Sequence, residues 1–147
     1  NKPDAAAPSP LHGDFHPANV LLTDDGRLFV IDWSAFSLGD FRLDLGWLLL
    51  LIVTYGYAEL RPVIVAEYER AAGRSVAALA YFETVAALRR LLDMAVSFNA
   101  GSTSAGMRDD TIALMRGQRD HYTRVYDILR ANSGLQLPDV ERLLAAF

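Results

Sequence analysis

The sequence predicts a mainly α-helical fold carrying one small β-hairpin, and three observations support this. Thr23-Asp24-Asp25-Gly26 separates two short apolar runs, Val20-Leu21-Leu22 and Leu28-Phe29-Val30-Ile31. An Asp-Gly turn between such runs is a hairpin signal. From Phe41 onward, apolar residues recur near helical spacing with few breaks. The 147 residues, 52% of them hydrophobic, suffice for one domain with its own core.

Taken in order, residues 1–11 hold Pro3, Pro8 and Pro10 and read as a linker or disordered lead-in, with residues 12–147 as the folded lobe. The hairpin follows, and residues 32–40 form a loop ending in Gly39-Asp40. Asp40 is placed to cap a helix from about Phe41 to Tyr57, apolar on nearly all sides and therefore central. A second helix runs from about Ala58 to Ala72, with Pro62 tolerated in its first turn and Gly73 placed to stop it. The third, from about Ser75 or Val76 to Phe98, aligns Leu79, Phe82, Leu88 and Leu92 near helical spacing. Gly101 to Gly106 forms a loop, a fourth helix spans about Arg108 to Ala131, and a short last helix starts near Pro138. No internal repeat is apparent.

Composition narrows the function classes. A net charge of −4 argues against nucleic acid, which needs a concentrated basic surface, and Arg89, Arg90, Arg116, Arg119 and Arg124 are scattered among acids. The absence of cysteine excludes disulfides, thiolate catalysis and zinc-thiolate sites. The apolar run from Leu45 to Val53 is far shorter than the about 20 residues a membrane helix needs, so it reads as a buried helix. No signal peptide opens the chain, and a cytoplasmic location is expected. The first methionine is Met94, so the chain reads as part of a longer translation product. The only lysine is Lys2 in the lead-in, so a lysine that holds ATP phosphates cannot come from the folded part.

The chemistry concentrates in His12-Gly13-Asp14-Phe15-His16-Pro17-Ala18-Asn19 and Ile31-Asp32-Trp33. Phosphoryl transfer needs a carboxylate to take or orient the proton of the attacking hydroxyl, and hard oxygen ligands for magnesium on the phosphates. Asp14 suits the first task; Asn19 and Asp32 suit the second. Asp14 and Asn19 lie at the two ends of one tight loop. The hairpin then returns the chain so that Asp32 leaves its second strand near the point where Asn19 enters the first.

At these residues the sequence resembles the aminoglycoside phosphotransferase and choline kinase families of small-molecule kinases. Their shared pattern appears as His12-Gly13-Asp14, Asn19, Ile31-Asp32-Trp33, Gly39-Asp40 and Asp44-Leu45. The Asp-to-Asn interval also matches the protein-kinase catalytic loop. Gly13 takes the place of the arginine found there, so control by activation-loop phosphorylation is not implied; Trp33-Ser34 replaces Phe-Gly after the aspartate, which favours the small-molecule branch.

The resemblance implies the C-terminal lobe of the protein-kinase-like fold. It also implies an ATP-dependent O-phosphotransferase moving the γ-phosphate to a hydroxyl of a small molecule. Asp14 is then the catalytic base, Asn19 and Asp32 ligate Mg2+, and Leu21 and Ile31 floor the nucleotide. His12 and Asp44 hold the catalytic loop through its backbone, and Trp33 packs beside the metal aspartate. His16 is either a substrate or phosphate contact or a loop histidine bonded to a neighbouring carboxylate. Asp40 reads as a helix cap, and Asp24 and Asp25 as turn residues.

Other readings fare worse. His12, Asp14 and His16 as an alternating metal site would need further histidines, and only His121 remains. No glycine-flanked serine elbow and no Walker A loop is present. A non-catalytic kinase-like binding or regulatory module is the alternative, against which stand intact Asp14, Asn19 and Asp32. The glycine-rich sheet, lysine and glutamate of an N-terminal lobe are missing from this sequence. The fragment is therefore expected to be inactive, or nearly so, alone. It is also expected to self-associate through apolar surface left open where that lobe would sit. The acceptor stays open; Glu59, Glu67, Glu83, Asp93, Asp109, Asp110 and Asp120 are acids that can meet amines, though most read as ordinary surface charges.

Overall fold

A computed structural model describes residues 2–100 and 111–147, and the described residues form a mostly helical chain with two small antiparallel sheets. The expected 101–106 loop and the start of the fourth helix near Arg108 lie outside the described residues. The chain divides into two compact units, Asn1–Val85 and Ala86–Phe147.

In the first unit, strands β2 (Val20–Leu22) and β3 (Leu28–Val30) pair antiparallel with Val20 opposite Val30, Leu21 opposite Phe29 and Leu22 opposite Leu28. The turn between them closes by Gly26 N–H donating to the Thr23 carbonyl at 2.9 Å, with Gly26 at φ 82, where glycine carries no steric cost. The other sheet corrects the sequence reading. Residues 9–11, expected within an unstructured lead-in, form β1 (Ser9–Leu11). Residues 37–39, expected as loop, form β4 (Ser37–Gly39), paired antiparallel to β1. Three-residue strands are too short to show an alternation, so the pairing comes from tertiary contacts. The lead-in is held further back as well: Ala6 N–H donates to Asp40 Oδ2 at 3.0 Å, and Arg42 Nη2 donates to the Asp4 carbonyl at 2.6 Å.

Helix α1 (Arg42–Thr54) follows, shorter at its C-terminal end than the sequence suggested, and it is buried on most of its surface: Leu45, Trp47, Leu49 and Leu50 are all at or below 5% exposure. Asp40 Oδ1 accepts the Arg42 N–H at 3.0 Å and so caps the first turn, while also gripping the Arg42 guanidinium. Gly46 is needed at a close approach, since a Cβ there would sit 2.8 Å from the Phe82 carbonyl carbon. Helix α2 (Leu60–Ala72) buries no residue fully and ends on Gly73 in the left-handed region at φ 65. Its Arg61 makes a two-pronged contact to Glu83, Nε to Oε1 at 2.7 Å and Nη2 to Oε2 at 3.0 Å, which ties α2 to the first turns of α3 (Leu79–Ala100).

In the second unit the single long helix expected from 108 to 131 is instead two, α4 (Thr111–Gly117) and α5 (Arg119–Ser133), broken beside Gly117, the weakest helix former in the stretch. The last helix, α6 (Pro138–Ala145), starts on its proline. Tyr122, Val125 and Leu129 of α5 are completely buried at helical spacing, and Tyr126 Oη donates to Glu141 Oε1 at 2.7 Å to hold α6. Among the described residues no helix is long and apolar enough to cross a membrane.

Candidate active site

The chain leaves β1 at Leu11 and turns sharply through His12 and Gly13. Gly13 sits at φ 82, and a Cβ added there would lie 2.5 Å from the Ala35 carbonyl oxygen, so only glycine fits. Asp44, from the first turn of α1, accepts the His12 N–H on Oδ2 at 2.6 Å and the Gly13 N–H on Oδ1 at 2.9 Å. One carboxylate thereby satisfies two consecutive loop donors.

His12 is 2% exposed. Its Nδ1 accepts the Asp14 N–H at 3.2 Å, and its Nε2 lies 2.8 Å from the Ile31 carbonyl oxygen. With Nδ1 accepting, the ring hydrogen is on Nε2 and donates to Ile31. Its ring lies 4.7 Å from that of Trp33, whose Nε1 donates to the Val30 carbonyl at 2.9 Å. Trp33 is 47% exposed, more open than a packing residue is expected to be.

Asp14 ends the turn. Its carboxylate accepts the Trp47 indole N–H on Oδ1 at 2.8 Å, and Oδ2 lies 3.6 Å from His16 Nε2, too far for a direct hydrogen bond. Its backbone carbonyl accepts Asn19 Nδ2 at 2.9 Å. Asn19 closes a single 3-10 turn, Pro17–Asn19, with its N–H on the His16 carbonyl at 2.9 Å, and it is 9% exposed. With Nδ2 committed, the amide oxygen is the group it has to offer a ligand.

The hairpin brings Asp32 to the same end. Ile31 N–H donates to the Asn19 carbonyl at 2.9 Å, one step beyond the Val20–Val30 pair, and Asp32 is the next residue. Asp32 stands at φ 60, one of only two non-glycine residues with positive φ among the described residues. An aspartate tolerates that region better than most residues, yet such backbone is sparse and concentrates at functional sites. Its Oδ1 accepts the Ser34 hydroxyl at 2.8 Å.

Among the described residues no three His, Cys, Asp or Glu side chains converge as a metal site. The candidate donors are instead one amide oxygen and one carboxylate. That hard, oxygen-only pair suits Mg2+, which takes few protein ligands and fills its remaining positions with phosphate oxygens and water. Leu21 and Ile31 are 50% and 38% exposed and share one face of the hairpin with Phe29, while Leu22 and Leu28 lie on the opposite face. Of the acids singled out for amines, Glu83 is held by Arg61, Glu67 pairs with Arg70 at 2.8 Å, and Asp93 lies 3.9 Å from Arg89. Asp109 and Asp110 lie outside the described residues.

Two residues of the site escaped the sequence reading. Trp47 was legible only as part of an apolar helix, although a buried indole N–H always raises the question of its acceptor. Ala35 became visible as a neighbour of Gly13 only once the loop after Asp32 folded back.

Residues 1–89 match the family model described as the phosphotransferase enzyme family. Comparison with curated proteins and with solved structures returned no match.

Proposed function

The chain belongs to the phosphotransferase enzyme family, and from that premise we propose that it carries the catalytic loop of a small-molecule kinase with a protein-kinase-like fold, transferring the γ-phosphate of ATP to a hydroxyl. The observation that supports this most is the hydrogen-bonded linkage of the loop segments that carry Asp14, Asn19 and Asp32. The Asn19 side chain is bonded to Asp14's backbone, and its own carbonyl is bonded to the residue before Asp32.

In this reading Asp14 takes the proton of the acceptor hydroxyl as its oxygen bonds to the γ-phosphorus and ADP departs. Asn19, through its amide oxygen, and Asp32 would hold Mg2+, which when bound would offset the charge of the phosphate oxygens. Asp44 and His12 keep the loop backbone in one conformation, so that Asp14 meets the acceptor without a search. His16, 3.6 Å from Asp14 Oδ2, is placed to approach the acceptor or a phosphate. Leu21 and Ile31 provide apolar floor under the adenine.

The hairpin is open on both faces, with Leu21 at 50% and Phe29 at 45% exposure on the face of the proposed floor and Leu22 and Leu28 more open on the other, which supports a covering partner. We assign it to a nucleotide-binding lobe supplied from outside these residues, with self-association as the consequence when it is left open. Incubation with γ-labelled ATP and a panel of hydroxylated acceptors, with and without that lobe, tests the proposal. Label on an acceptor oxygen with stoichiometric ADP, appearing only when the lobe is supplied, is the expected result. Transfer to no acceptor by the two-lobed protein would contradict it.

A further inference from the structure

The side chain of an aspartate has a broad, roughly two-fold terminal torsion, so a rigid loop backbone does not by itself fix which carboxylate oxygen faces the acceptor. The Asp14 side chain is 38% exposed, and solvent alone would leave that torsion free. Helix α1 supplies the missing constraint. Asp44 grips the backbone N–H groups of His12 and Gly13, and Trp47, three residues on, donates its indole N–H to Asp14 Oδ1 at 2.8 Å. Residues three apart share a helix face. The same face therefore holds three successive loop residues, two by backbone and the third by side chain.

Trp47 is 5% exposed and lies in a helix where nearly every neighbour is apolar. Phenylalanine would fill much of the same space; the nitrogen is what differs. Its hydrogen needs a partner when buried, and here the partner is an ionisable oxygen at charge-assisted distance. The indole is a donor only, so it occupies one oxygen and offers no competing acceptor for a proton. Oδ2, with His16 Nε2 3.6 Å away, is left for the substrate.

We propose that Trp47 is a positioning residue for phosphoryl transfer: it locks the Asp14 carboxylate by Oδ1 and so makes Oδ2 the oxygen that receives the acceptor proton. This rests on the reading of Asp14 as the base. Two measurements test it, the first independent of activity. The chain has two tryptophans, and Trp33 Nε1 bonds to a backbone carbonyl, so its indole signal is an internal reference. In the 15N–1H spectrum, Asp14→Ala should move the Trp47 indole signal upfield and speed its exchange while the Trp33 signal moves less. An unmoved Trp47 signal would overturn the proposal.

The second measurement is steady-state kinetics of the two-lobed enzyme. Trp47→Phe should lower kcat by about 10- to 100-fold with the KM for ATP and for acceptor unchanged and the thermal midpoint close to wild type. A wild-type kcat would overturn the proposal, and so would a loss that merely tracks unfolding. If Asp14→Asn were itself fully active, the reading of the base would fall; with Asp14→Asn inactive and Trp47→Phe fully active, only the role of Trp47 falls. Should Trp47→Phe not fold, the indole signal decides.

Discussion

His12 spans the candidate site: its Nε2 donates to the Ile31 carbonyl at 2.8 Å while its Nδ1 accepts the Asp14 N–H at 3.2 Å. One buried ring thus couples the loop bearing Asp14 to the strand end bearing Asp32. His12→Ala removes both bonds from a position that is 2% exposed. It should destabilise the first unit by roughly 2–3 kcal/mol, read as a lower midpoint in denaturant with an unchanged slope. A loss below about 0.5 kcal/mol, the size of an ordinary surface substitution, would mean that the two halves of the site are held by something else.

Asp44 is the second anchor of the loop, accepting two of its backbone N–H groups. Asp44→Ala leaves two neighbouring, partly buried N–H groups without an acceptor and should cost roughly 2–4 kcal/mol. Asp44→Asn keeps one acceptor oxygen but turns an NH2 toward the other donor, so it should fall between wild type and alanine. Amide exchange at His12 and Gly13 checks this locally: both should exchange faster in the variants, with the α5 amides unaffected.

Gly13→Ala faces two penalties at once. The backbone at φ 82 is disfavoured for alanine by about 1–2 kcal/mol, and the new methyl meets the Ala35 carbonyl oxygen at 2.5 Å. The loop after Asp32 must shift to relieve that contact, so transfer activity should drop further than the thermal midpoint suggests. Equal, small losses in both would show that the two loops move independently.

Asp40 and Arg42 give a pH signature. The Arg42 guanidinium bonded to Asp40 holds its carboxyl well below the usual carboxylate range, against the opposing effect of burial and with help from the Ala6 and Arg42 N–H groups. A depressed carboxylate adds stability that is complete above its unfolded value of about 3.9 and disappears as pH falls toward the folded-state value. With only 15% and 8% of the two side chains exposed, Asp40→Ala should cost about 3 kcal/mol near neutrality. Chemical denaturation from pH 7 downward should show that gap constant to about pH 4 and closing below it. A gap that grows with acidity would reverse the assigned sign.

How much of this was legible beforehand depends on the range of the forces involved. The β2–β3 hairpin could be read because its turn chemistry is local, and α1 because a run such as Leu48-Leu49-Leu50-Leu51 has few alternatives to burial. The β1–β4 sheet could not: Ser9, Pro10 and Leu11 carry no strand pattern, and they pair only because the chain returns at Ser37. The break between α4 and α5 was hidden in a continuous helical pattern with a single glycine as its sign. At the site, Asp14, Asn19 and Asp32 stood out by spacing, whereas the bond from Trp47 to Asp14 joins residues 33 apart and leaves no trace in either neighbourhood.

The most direct test of the account is the rate of phosphoryl transfer by Asp14→Asn in the two-lobed enzyme, measured beside its affinity for Mg2+-nucleotide. Loss of the base predicts a fall in kcat of about 10²–10⁴-fold with nucleotide affinity kept. A variant that transfers phosphate at the wild-type rate would contradict the assignment of Asp14, and with it the chemistry proposed for this loop.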